Sequence, residues 1–395
     1  MSTAWTRLSG AQVFAPEPLG ACDVWLAGRT IAAITPPGAI RVEGADVVEV
    51  ALDGLRLVPG FIDAHAHLTG GGGEGGAHTR VPAVPLSAFT TAGVTTAIGL
   101  LGTDCETRSI EENLACARAL AHEGLTALCY TGGYAVPPRT LTGSVRGDIV
   151  HVDRIVAAGE IAISDHRSSQ PTFEEILRLA AEAHVAGMMT GKAGLLHLHL
   201  GDGPRGLEFL WRARRETELP LRAFHPTHVN RNAALAEEAM RWVGEGGYAD
   251  VTAFGDDLTA VDWIVQAHQA RVPLARVTVS SDAGGCLPTF DADGVLLRMG
   301  VGTSRTLAPT LASACAAGVP FVEALALVTS NVATLFRLPG KGRIALGADA
   351  DLVAVDDAWS VREVWALGRR MVAAGTAVQW GTFEAAPLAS GPVVR

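Results

Sequence analysis

From residue 55 to residue 282 the chain repeats one pattern: a short apolar run with β-branched residues, then a stretch long enough for a helix. The runs span 55–67, 94–102, 125–134, 160–167, 195–202, 221–229, 248–255 and 276–282. Most of the intervening segments, such as 173–186 and 233–243, are Ala/Leu/Glu-rich and suit crossover helices. With 48% hydrophobic residues and 45 glycines, the composition agrees with a buried α/β sheet joined by many tight turns. Eight strands with helical crossovers fit an α/β chain folded as a (β/α)8 TIM-like barrel. An open doubly wound sheet is the competitor, but the G-x-G-x-x-G turn usual after its first strand is absent.

Both ends of the chain read differently. Before residue 55 the pattern is short and β-like, with a hairpin turn at Gly28-Arg29, and it becomes β-rich again after Gly340. Two such ends flanking a barrel can pair into one small β-sandwich. The expected division is therefore a sandwich domain from 1–54 and 344–395, and a barrel domain from 55–343. No apolar stretch approaches the roughly 20 residues that a bilayer crossing needs, and the first residues carry no leader pattern, so no membrane partner is expected. A net charge of −10 without a basic run argues against a nucleic-acid partner. The six cysteines are scattered with no Cys-x-x-Cys pair, which suits reduced thiols in a cytoplasmic protein.

The polar residues fall where chemistry would need them. His65 and His67 lie two apart at a strand end and so share a face. Glu160, His199, His228 and Asp282 fall in or just after other strand candidates, mostly towards their C-terminal ends, which converge on one mouth in a barrel. Four histidines and two carboxylates can serve two divalent ions. Zinc is the first choice, with manganese, iron or cobalt able to substitute. His197 shares a face with His199, but only His199 precedes the Gly-Asp turn, so His197 is the second choice.

Pro59-Gly60-Phe61-Ile62-Asp63-x-His65-x-His67 and the closing Gly342-x-Ile344-x-x-Gly347-x-Asp349-Ala350-Asp351-Leu352-Val353 resemble the amidohydrolase superfamily. More narrowly, GGGGE at 70–74, GLLGTD at 99–104, TGSV at 142–145, ISDHRS at 163–168, PTHVNRN at 226–232 and SSD at 280–282 are similar to the isoaspartyl (β-aspartyl) dipeptidases. The resemblance runs over nearly the whole chain. It implies a binuclear metal-dependent hydrolase whose metal-bridging hydroxide attacks the side-chain amide of a small β-aspartyl dipeptide. On the same basis, His65 and His67 would bind the more buried metal and His199 and His228 the more exposed one. Asp282 would bind the first metal and transfer protons, while Tyr134 would donate to the developing oxyanion. Glu74 would take the substrate's α-ammonium, and Arg167 and Arg231 its carboxylates, with Gly72 and Thr103 contributing through their loops. A homo-oligomer is also implied, an octamer being the assembly the family suggests.

Elementary chemistry agrees. A free isoaspartyl dipeptide carries one ammonium and two carboxylates, so an acidic anchor and guanidinium forks are what recognise it. Two positions depart from the family pattern. Glu160 stands where the family has a carboxylated lysine, and it would have to bridge the metals from a shorter arm. Cys286 stands where the family has a serine that contacts substrate, and a thiol is the poorer hydrogen-bond partner. These departures keep open another amidohydrolase activity, such as N-acyl-amino-acid deacylation or cyclic-amide hydrolysis.

Overall fold

The computed structural model describes residues 5–255, 259–291 and 295–384. Its centre is a barrel of eight parallel strands: β1 (Phe61–Ala66), β2 (Val94–Gly99), β3 (Thr126–Thr131), β4 (Ile155–Ile163), β5 (Leu196–Leu200), β6 (Phe224–Thr227), β7 (Ala249–Thr252) and β8 (Val277–Ser280). Strands β1 to β6 form one ladder in chain order, and β7 pairs with β8. The Val229 N–H donates to the Asp250 carbonyl at one seam, and Ala66 bridges Ala283 at the other, closing the sheet. This is the TIM-like barrel that the strand–helix alternation predicts.

The crossover helices begin and end on local signals. Ser109 accepts from the Glu112 N–H to start Ile110–Glu123, and Gly124, in the left-handed conformation, ends it. Thr172 and Glu175 form a reciprocal capping box at the head of Phe173–Thr190. Asn232 caps Ala233–Gly244 through the Leu235 N–H.

Two boundaries differ from the sequence reading. The 55–67 run is two strands rather than one. Arg56–Pro59 pairs with Leu352–Val355 and Gln12–Phe14, outside the barrel, and β1 begins only at Phe61. Gly60 makes the break, since a Cβ there would sit 2.1 Å from Thr95 Oγ1. The fourth strand begins at Ile155 rather than at Glu160, which places Glu160 inside β4 and leaves Arg167 in the loop beyond it.

Both chain ends contribute to two further sheets. One runs in the order Thr30–Thr35, Asp23–Ala27, Trp5–Ser9, Val47–Ala51; the other joins Arg56–Pro59, Gln12–Phe14 and Pro18–Ala21 to strands from 352–377. Their shared apolar core includes Leu8, Val24 and Ile31 from one end and Leu352 and Trp365 from the other. Residues 385–395 lie outside the described part. A hairpin that the sequence reading did not anticipate, Cys286–Phe290 with Leu296–Val301, stands beside the barrel mouth. Among the described residues no helix is long and apolar enough to cross a membrane.

Candidate active site

Each expected ligand reaches the mouth by a separate element. His65 lies in β1 and His67 just after it, Glu160 lies in β4, and His199 lies in β5. His228 directly follows β6, and Asp282 follows β8 by two residues. All six are buried. His228 and Asp282 have φ of 59° and 54°, a left-handed backbone that costs a non-glycine residue of order 1 kcal/mol or more. Such strain at a strand exit is a mark of functional sites.

The polar atoms of these six residues converge. His65 Nε2 lies 3.3 Å from Asp282 Oδ1 and 3.6 Å from Glu160 Oε2. His67 Nε2 lies 3.1 Å from Asp282 Oδ1 and 3.7 Å from Glu160 Oε1. His199 Nδ1 and His228 Nε2 stand 3.1 and 3.5 Å from Glu160 Oε2. Three sets have ligand atoms within 4.8 Å of one another: His65, His67 and Glu160; His65, His228 and Asp282; and Glu160, His199 and His228.

This donor set fits a divalent cation. Nitrogen and carboxylate oxygen are the ligands such ions take, and His65 Nε2 and Asp282 Oδ1 are buried without a hydrogen bond. The wall beside them is bare backbone, since a Cβ on Gly285 would lie 2.0 Å from Asp282 Oδ1. Burial disfavours charge on His65, yet Glu160 and Asp282 raise it to about 9. Burial likewise pushes Glu160 up, but His65 and His199 hold it well below the usual carboxylate range. Burial takes His228 down to about 3, keeping it neutral as a ligand must be. A site that draws a proton onto a buried imidazole is one where a metal cation would be held strongly.

Beside the six lies a cavity of about 550 Å³, lined in part by Gly72, Glu74, Thr103, Tyr134, Arg167, Arg231 and Cys286. The structure therefore brings every remaining sequence candidate except His197 to the same pocket. The Tyr134 hydroxyl is 2.8 Å from His199 Nδ1. Arg167 grips Asp165 through Nε and Nη2 at 3.1 and 2.8 Å, and its Nη1 lies 3.6 Å from Glu74 Oε1. The Cys286 thiol donates to Glu74 Oε2 at 2.9 Å. Burial first, and Glu74 second, push that thiol well above its ordinary range, so it stays protonated as a donor.

Other participants carry no role in the sequence reading, although Asp165 lies within the ISDHRS stretch. Arg108 is buried, and its guanidinium donates to the carbonyls of Thr69, Gly71 and Val81, pinning the glycine-rich loop that presents Glu74. It sits in a polar stretch with no periodicity to mark it. Asp165 holds both Arg167 and His199 Nε2. Arg298 reaches the pocket from the unanticipated hairpin. His197 joins none of the three ligand sets among the described residues; it hydrogen-bonds to His65 instead.

The sequence profile of the amidohydrolase family matches residues 56–374. A crystal structure of β-aspartyl dipeptidase from the thermophilic keratin-degrading Fervidobacterium islandicum AW-1, in complex with β-Asp-Leu dipeptide, is 40% identical. The match covers 95% of this chain and 98% of that one, with a TM-score of 0.91. A second structure of the β-aspartyl dipeptidase from that organism matches at 40% identity over 94% and 98% of the two chains, with a TM-score of 0.87. N-acetylglucosamine-6-phosphate deacetylase from Pasteurella multocida, at 16% identity over 93% and 100% of the two chains and a TM-score of 0.64, shares the fold.

Proposed function

Because this chain belongs to the amidohydrolase family, we propose that it is a metal-dependent dipeptidase hydrolysing β-aspartyl (isoaspartyl) dipeptides. The observation that carries the reading is the meeting of two sets of groups at the barrel mouth: six metal-compatible side chains, four of which line the pocket, and beside them Glu74 with Arg167 and Arg231. The 40% identical structure that holds β-Asp-Leu supports the substrate class.

His65, His67 and Asp282 would hold one zinc ion, His199 and His228 a second, and Glu160 would be shared between them. When bound, such a pair acidifies water and polarises a carbonyl. The chain's own groups do the rest. Glu74 takes the substrate ammonium, and Arg167 and Arg231 hold its carboxylates by charge-assisted hydrogen bonds. The Tyr134 hydroxyl donates to the carbonyl oxygen as negative charge develops there. Asp282 accepts the proton of the attacking water and passes it to the departing amine nitrogen as the C–N bond breaks, yielding aspartate and a free amino acid. We further infer a homo-oligomer, octameric as the family resemblance suggests, working in a reducing cytoplasm that keeps the six unpaired cysteines as thiols.

A substrate panel tests this reading. β-Asp-Leu and related β-aspartyl dipeptides are expected to be cleaved far faster than N-acyl amino acids, hydantoins or α-linked Asp-Leu. Comparable or faster turnover of an N-acyl or cyclic substrate would overturn the assignment.

A further inference from the structure

Behind His65, deeper in the barrel, runs a chain of polar side chains that none of the roles above employs. His65 Nδ1 lies 2.9 Å from His197 Nε2, His197 Nδ1 lies 3.0 Å from His225 Nδ1, and His225 Nε2 lies 3.0 Å from Thr278 Oγ1. Thr278 donates in turn to Asp250 Oδ1, while Asp250 Oδ2 accepts from Thr227 at 2.8 Å and Ser280 at 2.5 Å. The strand register makes two of the links, setting His197 opposite His225 and Asp250 opposite Thr278. Every member is buried. Tyr130 stacks on His197 at 5.0 Å, and Phe336 meets the edges of Tyr130 and His225.

The order of protons along this chain follows from its far end. A threonine hydroxyl has a single proton. Having given it to Asp250, Thr278 can offer His225 only a lone pair, so His225 Nε2 must carry a hydrogen. The side-chain partners of His225 and His197 are each other, His65 and Thr278, with no carboxylate among them; a buried imidazole without a counter-charge is neutral, with one N–H and one lone pair. The His225 Nδ1 is then the acceptor and His197 Nδ1 the donor. By the same step His197 Nε2 is the acceptor and His65 Nδ1 the donor. The nitrogen left to coordinate is His65 Nε2, which faces Glu160 and Asp282.

We propose that Asp250 and Thr278, acting through His225 and His197, are positioning residues that fix the tautomer of His65 and aim its Nε2 at the metal. The proposal rests on the metal-dependent reading and deepens it: the first ligand is oriented from inside the barrel by a relay of two neutral rings. Outer partners of metal-binding histidines commonly act in this way, and their loss weakens metal binding by about 10- to 100-fold.

The test is zinc affinity of the full chain, measured by competition with a chromophoric chelator. Thr278→Val, which keeps shape and removes the hydroxyl, is expected to weaken zinc binding about 10- to 100-fold. Thr278→Ser, which restores the hydroxyl on a smaller side chain, is expected to stay within about threefold of the parent, because the relay needs only the oxygen. His225→Phe, which keeps an aromatic ring and removes both nitrogens, should weaken zinc binding as Thr278→Val does, and serves should that variant fail to fold. Parental affinity in the folded Val or Phe variants overturns the relay, as does a loss in Thr278→Ser equal to that in Thr278→Val. A parent chain that binds neither zinc nor manganese, iron or cobalt overturns the metal-dependent reading itself, which separates the two failures.

Discussion

Replacing Glu160 by glutamine tests the centre of the site most directly. The substitution keeps size and one carbonyl oxygen but removes a unit of negative charge from a point that two of the three ligand sets share. The ligand atoms of each set lie within 4.8 Å of one another. At that separation and an effective dielectric of about 20, one unit charge interacts with another by about 3 kcal/mol, and a divalent ion roughly doubles this. Each factor of ten in affinity is about 1.4 kcal/mol, so metal binding should weaken by more than about 100-fold at both positions. The measurement is metal content by plasma mass spectrometry after dialysis against metal-free buffer, with circular dichroism to confirm that the barrel persists. The parent should carry two ions per chain, and the variant at most one. If Glu160→Gln retains two ions held as tightly as in the parent, or if the parent carries one ion and Glu160→Ala leaves it in place, Glu160 is not a shared ligand and the argument fails.

Three further outcomes are expected. Asp282→Asn, assayed with metal in saturating excess so that occupancy matches the parent, should lower kcat by about 10²- to 10⁴-fold, the range for a lost general base; activity near the parent level would remove Asp282 from proton transfer. Glu74→Gln should raise KM for β-Asp-Leu by about 10- to 100-fold, since a hydrogen bond to a charged group contributes roughly 1.5–3 kcal/mol; an unchanged KM, with metal content also unchanged, would show that the ammonium binds elsewhere. Because burial and Glu74 both raise the Cys286 thiol, little thiolate should exist at pH 7.5, so iodoacetamide should modify Cys286 far more slowly than a free thiol and Glu74→Gln should speed it. Mass spectrometry of the Cys286 peptide at timed intervals decides this, and rapid modification in the parent would contradict it.

What could be read from the sequence depended on which kind of periodicity carried it. Alternation along a strand places His65 and His67 on one face, and position near a strand end places His199 and His228 at the mouth. Depth is a different quantity, and alternation is silent about it. His197 and His199 share a face of β5, yet one joins the ligand cluster while the other lies behind His65. Nothing in the spacing of His225, Asp250 or Thr278 distinguishes a packed interior from a proton-ordering chain, because the distinction lies in which atoms meet across strands. The hairpin carrying Arg298 was missed for a similar reason, since it pairs with itself beside the barrel rather than extending the repeating strand–helix pattern. Glu160 shows the limit most clearly. Its identity as a carboxylate could be read directly, but its reach could not, because a shorter arm works only if its backbone stands closer to the partners. In the structure Glu160 lies inside β4, and its Oε2 comes within 3.1 to 3.6 Å of three histidines. Chemistry could therefore be assigned from residue type, while distance had to come from the folded arrangement of the strands.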